Sequence, residues 1–224
     1  MDNKGSCRTN KVKKKRSKRH KKVVIRWLLF VIGMIVLTFG ARIILLSGLG
    51  VGGLDAIAIG LAEQTGNSIG MWIVALGILL VIIGSFIRKK ITILPLGTSL
   101  LIGWFYNLWG NILFNHMVSP TETVYIGYTF LLGILIAPLG AAIYILSEVS
   151  MGPVDYLMIA VKERFHKSMQ VGRTFIEVVF VVIGYLVGGP IGIGTICIML
   201  LWGPILQVYY ATLNKTFERY LKRK

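Results

Sequence analysis

The sequence predicts an all-α membrane protein: six transmembrane helices as two inverted three-helix repeats, each with a short re-entrant or interfacial helix. Three observations carry this. Hydrophobic residues make up 55% of the 224-residue chain, and mean hydropathy is +0.73. The chain aligns with itself at an offset of 100 residues, with 14 identities over the 54 gapless positions 33 to 86. About 4 would be expected from so apolar a composition. Finally, Lys and Arg fall on alternate connections between apolar segments.

Gly33, Gly40, Ala41, Ile43, Leu46 and Ser47 recur as Gly133, Gly140, Ala141, Ile143, Leu146 and Ser147. The match continues through Gly52, Asp55, Ile59 and Glu63 to Gly152, Asp155, Ile159 and Glu163, and ends with Ser68, Val81, Ile83 and Gly84. Internal repeats mark transporter folds whose sites lie between the halves, although a duplication can also persist for structural reasons alone.

Taken in order, the first element is a basic tail, residues 1–22. Residues 1 to 26 hold 12 of the 25 Lys and Arg. The tail abuts a long apolar segment, so it reads as a cytoplasmic anchor that meets anionic lipid headgroups rather than nucleic acid. The stretch from Val23 to Ser47 is too long for a signal-peptide core and lacks a cleavage site, so it is retained as the first span. Further spans follow at about 68–87, 93–110, 124–147, 170–188 and 191–213. Membrane repeat 1 is then 23–110, an extracytoplasmic connector 111–123, membrane repeat 2 124–213, and a basic cytoplasmic C-terminus 214–224. Leu54 to Gly66 and Val154 to His166 reach ~20 Å as helices, against ~30 Å of hydrocarbon, and cannot cross.

Charge sets the orientation. With the N-terminus inside, Arg88, Lys89, Lys90, Lys162, Arg164, Lys167 and the C-terminal cations are also inside. Asp55, Glu63, His116 and Glu122 are outside. Three spans per repeat make the second copy enter from the opposite side, with both termini cytoplasmic. Trp27, Tyr106, Trp109, Tyr209 and Tyr210 fall near span ends, where amphipathic rings collect. Glycines such as Gly33, Gly40, Gly77, Gly84 and Gly133 suit close helix packing.

The chief candidate site is the duplicated turn, Gly50, Gly52, Gly53 and Asp55 in the first copy and Gly152, Pro153 and Asp155 in the second. Glycine permits the reversal, Pro153 suits a first helical turn, and each Asp can complement a helix N-terminus. Capping is one reading. The other is that two helix ends aim at a common cavity where an Asp binds a cation or proton. Capping alone would make Asp→Asn mild at both sites, and a charge role would make it severe, with the larger effect expected at Asp155 beside Pro153 and Glu148. Glu63 and Glu163 form a second duplicated acid pair, either facing the same site or ending their helices in solvent. Glu177 lies inside the fifth span, either paired with Arg173 one turn earlier or functional. Arg42 lies near the outer end of the first span, where it either snorkels or meets an anionic solute.

No catalytic constellation is present. His20, His116 and His166 are dispersed, Cys7 and Cys197 make no framework, and phosphate-binding and nucleophile-elbow motifs are absent. No enzyme, metal or cofactor is expected. The turn from Gly50 to Asp55, its copy Gly152-Pro153-x-Asp155 and the late Gly192-x-Gly194-Thr195 resemble the YczE/YyaS/YitT group of bacterial integral membrane proteins. This resemblance implies a multipass protein of the bacterial plasma membrane and assigns no catalytic residues. Here Gly53 stands where Pro153 stands in the second copy. The expected function is transport of a small solute, ion- or proton-coupled, by rocking of the halves. The alternative is a regulatory or scaffold protein acting through a protein partner or a second copy of the chain.

Overall fold

A computed structural model describes residues 3–90, 92–113, 120–165 and 169–223, with side chains described from residue 23 to 216 except at 91, 114–119 and 165–172. His116, His166 and part of the connector lie outside the described residues, as do the side chains of Cys7, His20 and the tail cations. Eight helices follow in order: α1 (Asn3–Leu46), α2 (Gly53–Thr65), α3 (Ile69–Arg88), α4 (Leu94–Ile112), α5 (Thr123–Leu146), α6 (Pro153–Phe165), α7 (Met169–Leu186) and α8 (Ile193–Arg223). No strand occurs among the described residues. The basic segment is not a separate element: it continues α1 without a break.

Among the described residues four stretches are long and apolar enough to cross a membrane: Val23–Leu46, Ile69–Arg88, Thr123–Leu146 and Ile193–Thr216. α4 is diluted by Thr98, Ser99, Asn107 and its glycines, and α7 by Gln170, Arg173 and Glu177. Large apolar side chains such as Ile82, Trp104, Leu131, Val182 and Leu200 remain exposed on the outer faces. A soluble domain rarely leaves such surface open, whereas lipid covers it at no cost.

The centre of the molecule is an antiparallel seam between α1 and α5, and glycine makes it. A Cβ at Gly33 would lie 2.8 Å from the carbonyl oxygen of Gly140, and one at Gly140 would lie 2.7 Å from that of Gly33. A Cβ at Gly40 would stand 2.4 Å from the amide nitrogen of Ala137, and one at Gly140 would stand 2.2 Å from that of Leu37. Gly33 meets Tyr144 while Gly133 meets Ile44. Each contact therefore has its reciprocal 100 residues away. The other helix pairs match in the same way. α1 packs on α4 as α5 packs on α8, and α2 packs on α7 as α6 packs on α3.

Small residues also place the two short helices. Gly53 rests on Phe180 and Val181, and Gly60 on Val187 and Gly189, so α2 starts beside the middle of α7 and runs parallel to its second half. Pro153 lies against Gly77, Tyr156 against Gly84, and Glu163 pairs with Arg88 at 2.8 Å. α6 thus starts beside the middle of α3 and runs to its C-terminal end. Gly66 ends α2 in the left-handed conformation (φ 72°), its N–H bonded to the carbonyl of Ala62, a conformation that costs other residues energy.

Each turn before a short helix is held by the opposite half. Leu49 accepts from the Gly194 amide at 2.8 Å, and Val51 donates to the Pro190 carbonyl at 3.2 Å. In the second copy the Thr98 hydroxyl donates to Ser150 at 2.8 Å. One departure from symmetry matters below. α3 and α4 pack closely, linked by Asn107, whose side chain accepts from the Gly70 amide and donates to Ser68. The equivalent α7 and α8 make at most slight contact among the described residues.

Candidate functional site

The two duplicated turns meet at one cavity of about 180 Å³. Its wall follows the repeat, taking Ala41 with Ala141, Ile44 with Tyr144, Ile73 with Arg173, and Gly52, Gly53, Leu54 and Asp55 with Gly152, Pro153, Val154 and Asp155. Glu177, Tyr106, Thr38, Ser99 and Trp202 complete the polar and aromatic part of the lining. α2 and α6 both begin here, so their free N–H groups and positive dipole ends face the cavity.

The paired acids differ in state. The hydroxyl of Tyr144 donates to the Asp155 carboxylate at 2.5 Å, a charge-assisted bond that fixes the side chain. Among the described residues Asp55 takes no hydrogen bond. Glu177 faces the backbone N–H of Gly53, the first residue of α2, while Arg42 and Glu177 are the nearest charged neighbours of Asp55. Asp55 and Asp155 both sit in the first turn of their helices, where a carboxylate complements the positive end, and Gly52 is the N-cap of α2.

The structure also separates the alternatives left open for the other candidate residues. Arg173 and Glu177 form no ion pair among the described residues; Arg173 lines the cavity beside Glu177 without closing on it. Arg42 does not line the cavity. Its Nε donates to the Tyr106 carbonyl at 2.9 Å, its guanidinium lies 4.1 Å from the centre of the Tyr106 ring, and Gly110 leaves room for it. Glu63 is exposed at the far end of α2, and Glu163 is bound to Arg88 by two hydrogen bonds. Both acids lie more than two turns from the cavity because each short helix points away from it. Gly50 also lies outside the lining, packed on Gly192 and Thr195.

Tyr106 is not the interfacial anchor its place near a span end suggested. It is 1% exposed and in the cavity wall, and its hydroxyl has no hydrogen-bond partner among the described residues. An orphaned buried hydroxyl carries a desolvation cost of roughly 1–3 kcal/mol. Tyr106→Phe keeps the ring under Arg42 and removes that cost. It should therefore leave the melting temperature in detergent unchanged or slightly raised; a marked drop would mean that the hydroxyl has a partner. Tyr144 was also missed by sequence reasoning, although a signal existed: it is a polar residue where the first copy has Ile44.

Among the described residues, no three His, Cys, Asp or Glu side chains group closely enough for a metal ion. The arrangement can hold a small solute between two helix N-termini, with a free carboxylate for a cation or proton.

Among the known proteins that the chain resembles, one is named a membrane protein. Residues 24–211 match DUF6198, a family of unknown function. The uncharacterized protein YyaS of Bacillus subtilis (strain 168) is 28% identical over 199 residues, covering 86% of this chain and 96% of its own. The uncharacterized membrane protein YczE of the same organism is 31% identical over 189 residues, with 83% and 85% covered. An uncharacterized protein of Haemophilus influenzae is 28% identical over 175 residues, with 78% of each covered. No solved structure matches the chain. With a match that reaches every helix of the bundle, this all-helical membrane protein belongs to the DUF6198 family and is a relative of YyaS and YczE.

Proposed function

We propose that the protein is a transporter of a small solute, built as two inverted repeats of three spans with both termini cytoplasmic. α2 and α6 then re-enter from opposite faces with their N-termini at mid-depth. The observation that carries this reading is the cavity lined by both copies of the duplicated turn. Broken helices that present their N-termini at mid-membrane recur at the sites of inverted-repeat carriers. The reciprocal α1–α5 contacts supply an axis about which the halves rock, and the slight contact between α7 and α8 leaves one side of the cavity less firmly closed. A cavity of about 180 Å³ sets the size; an engineered cavity of ~150 Å³ accommodates benzene, so the solute is a small one. Asp55 is the coupling group, since it alone of the two paired acids has no hydrogen bond among the described residues.

Topology is tested by cysteine labelling after Cys7 and Cys197 are replaced by Ser. Thr121→Cys should react with an impermeant maleimide from outside intact cells, and Lys89→Cys only after permeabilisation. Reaction of Lys89→Cys from outside, with Thr121→Cys protected until permeabilisation, would make the short helices span and the halves parallel, and overturn the arrangement. Function is tested by a solute screen for thermal stabilisation, followed by uptake into proteoliposomes. A stoichiometric protein partner in mild detergent, with no response to any solute, would remove transport in favour of a scaffold.

A further inference from the structure

We propose that a trough beside the C-terminal end of α3 binds an anionic glycerophospholipid. Its phosphate meets Lys89, Lys90 and Arg164, and an acyl chain lies along Ile82 and Phe86. The proposal rests on the topology above, which turns this end of α3 to the cytoplasmic leaflet. The trough has a volume of about 710 Å³, within the roughly 300–1,000 Å³ of ordinary ligand sites. Its chemistry is divided. Val81, Ile82 and Phe86 give one part a hydrocarbon wall, while Lys89, Lys90 and Arg164 gather at the other.

The charges there are unbalanced. Neighbouring Arg88 is held by Glu163 at 2.8 and 3.0 Å, but no described carboxylate lies within ion-pair distance of Lys89, Lys90 or Arg164. Three exposed cations from two elements repel one another until an anion sits among them. The loop that carries two of them is also fixed in place. Lys90 offers its carbonyl to the Tyr156 hydroxyl at 3.1 Å, and Tyr156 is itself buried. Lys89 holds a left-handed backbone (φ 53°), a position glycine fills without strain. A lysine there trades backbone comfort for a cation at the rim of the trough.

A free phosphate would use the cations and leave the rest idle. The apolar wall argues for a ligand with a chain: Phe86 is 86% exposed and Ile82 59%, both on the outward face of α3 that meets lipid. Head and tail chemistry are thus joined in one depression, at the level where a phospholipid changes from one to the other. The site is separate from the basic segment before Val23, which acts through general attraction to an anionic surface.

The test uses the full chain with a photo-crosslinker at position 86, in vesicles of phosphatidylcholine alone or mixed with phosphatidylglycerol. The expected result is a phosphatidylglycerol adduct enriched about tenfold over its share of the lipid, as local cation–headgroup attraction requires. The enrichment should disappear in the combined Lys89→Gln, Lys90→Gln, Arg164→Gln variant and survive when Lys89 and Lys90 are changed to Arg. Equal yield with both lipids overturns the proposal, as does full enrichment in the Gln variant, which would assign the attraction to the tail. Loss of the adduct in millimolar inorganic phosphate overturns it as well, because the site would then read a free anion. If the Gln variant fails to fold, Lys90→Gln and Arg164→Gln are read singly, and an undiminished adduct in both refutes the site. Labelling of Lys89→Cys reports the leaflet independently, so a wrong topology and a missing lipid site give different results.

Discussion

Asp55→Asn is expected to cut solute uptake at least about tenfold, the equivalent of ~1.4 kcal/mol of lost affinity for solute or coupling ion, while leaving the fold intact. Asn matches Asp in shape, and the Asp55 carboxylate makes no hydrogen bond within the described residues whose loss would destabilise α2. What changes is the charge that acts on Glu177 in the cavity and on Arg42 outside its lining. Asp155→Asn should behave differently. Its carboxylate accepts the Tyr144 hydroxyl at 2.5 Å, and an amide oxygen keeps a weaker version of that bond at a cost of about 1 kcal/mol. The same substitution at duplicated positions should thus impair transport at one and mainly stability at the other. Sequence reasoning placed the larger functional effect at Asp155; the Tyr144 bond reverses the order. Normal uptake by Asp55→Asn, measured beside an unchanged melting curve, would end the coupling role.

Gly140→Ala is expected to be among the most destabilising single-methyl changes at the described residues. The added carbon would stand 2.2 Å from the amide nitrogen of Leu37 and 2.7 Å from the carbonyl oxygen of Gly33. Both are backbone atoms, so no side chain can rotate away and α1 and α5 must separate. Overpacking typically costs about 1–3 kcal/mol, and a clash of backbone with backbone belongs at the top of that range or beyond. Gly127→Ala on the same helix is the control. A Cβ there meets nothing within 4 Å, and alanine is the better helix former by ~1 kcal/mol. The first variant should melt far below the parent in detergent and the second at or above it. Equal melting of the two would mean that the seam is looser than its contacts imply.

Much of this architecture is legible in the amino-acid order alone. The offset of 100 residues locates the duplicated turns, length excludes the short segments as spans, and their glycines mark close approach. Depth is not legible. Whether Leu54 to Gly66 lies on the surface or re-enters depends on where α1 ends relative to α5, a register set by Gly33, Gly40 and Gly140 that neither segment reveals alone. The site is half legible. Asp55, Asp155 and Glu177 stand out as acids in apolar surroundings. Glu63 and Glu163 look equivalent to them because helical spacing puts them near the same face, but spacing says nothing about distance along the axis. Tyr106 is misread because a tyrosine near a span end has two fates, interface or interior. The choice is made by Arg42, 64 residues away.

The seam also bears on how chemistry is distributed. Every close contact between α1 and α5 is returned by its counterpart, as across the two-fold axis of a homodimer. In a homodimer a substitution would appear twice; in one fused chain it appears once. The polar residues around the cavity use that freedom. Tyr144 corresponds to Ile44 in the other copy, Arg173 to Ile73, and Glu177 has Gly77 as its counterpart. Only the two aspartates are the same in both. A molecule held between them would meet the same outline, rotated, and a different partner at each end, so the protein can tell a solute's head from its tail although its scaffold cannot.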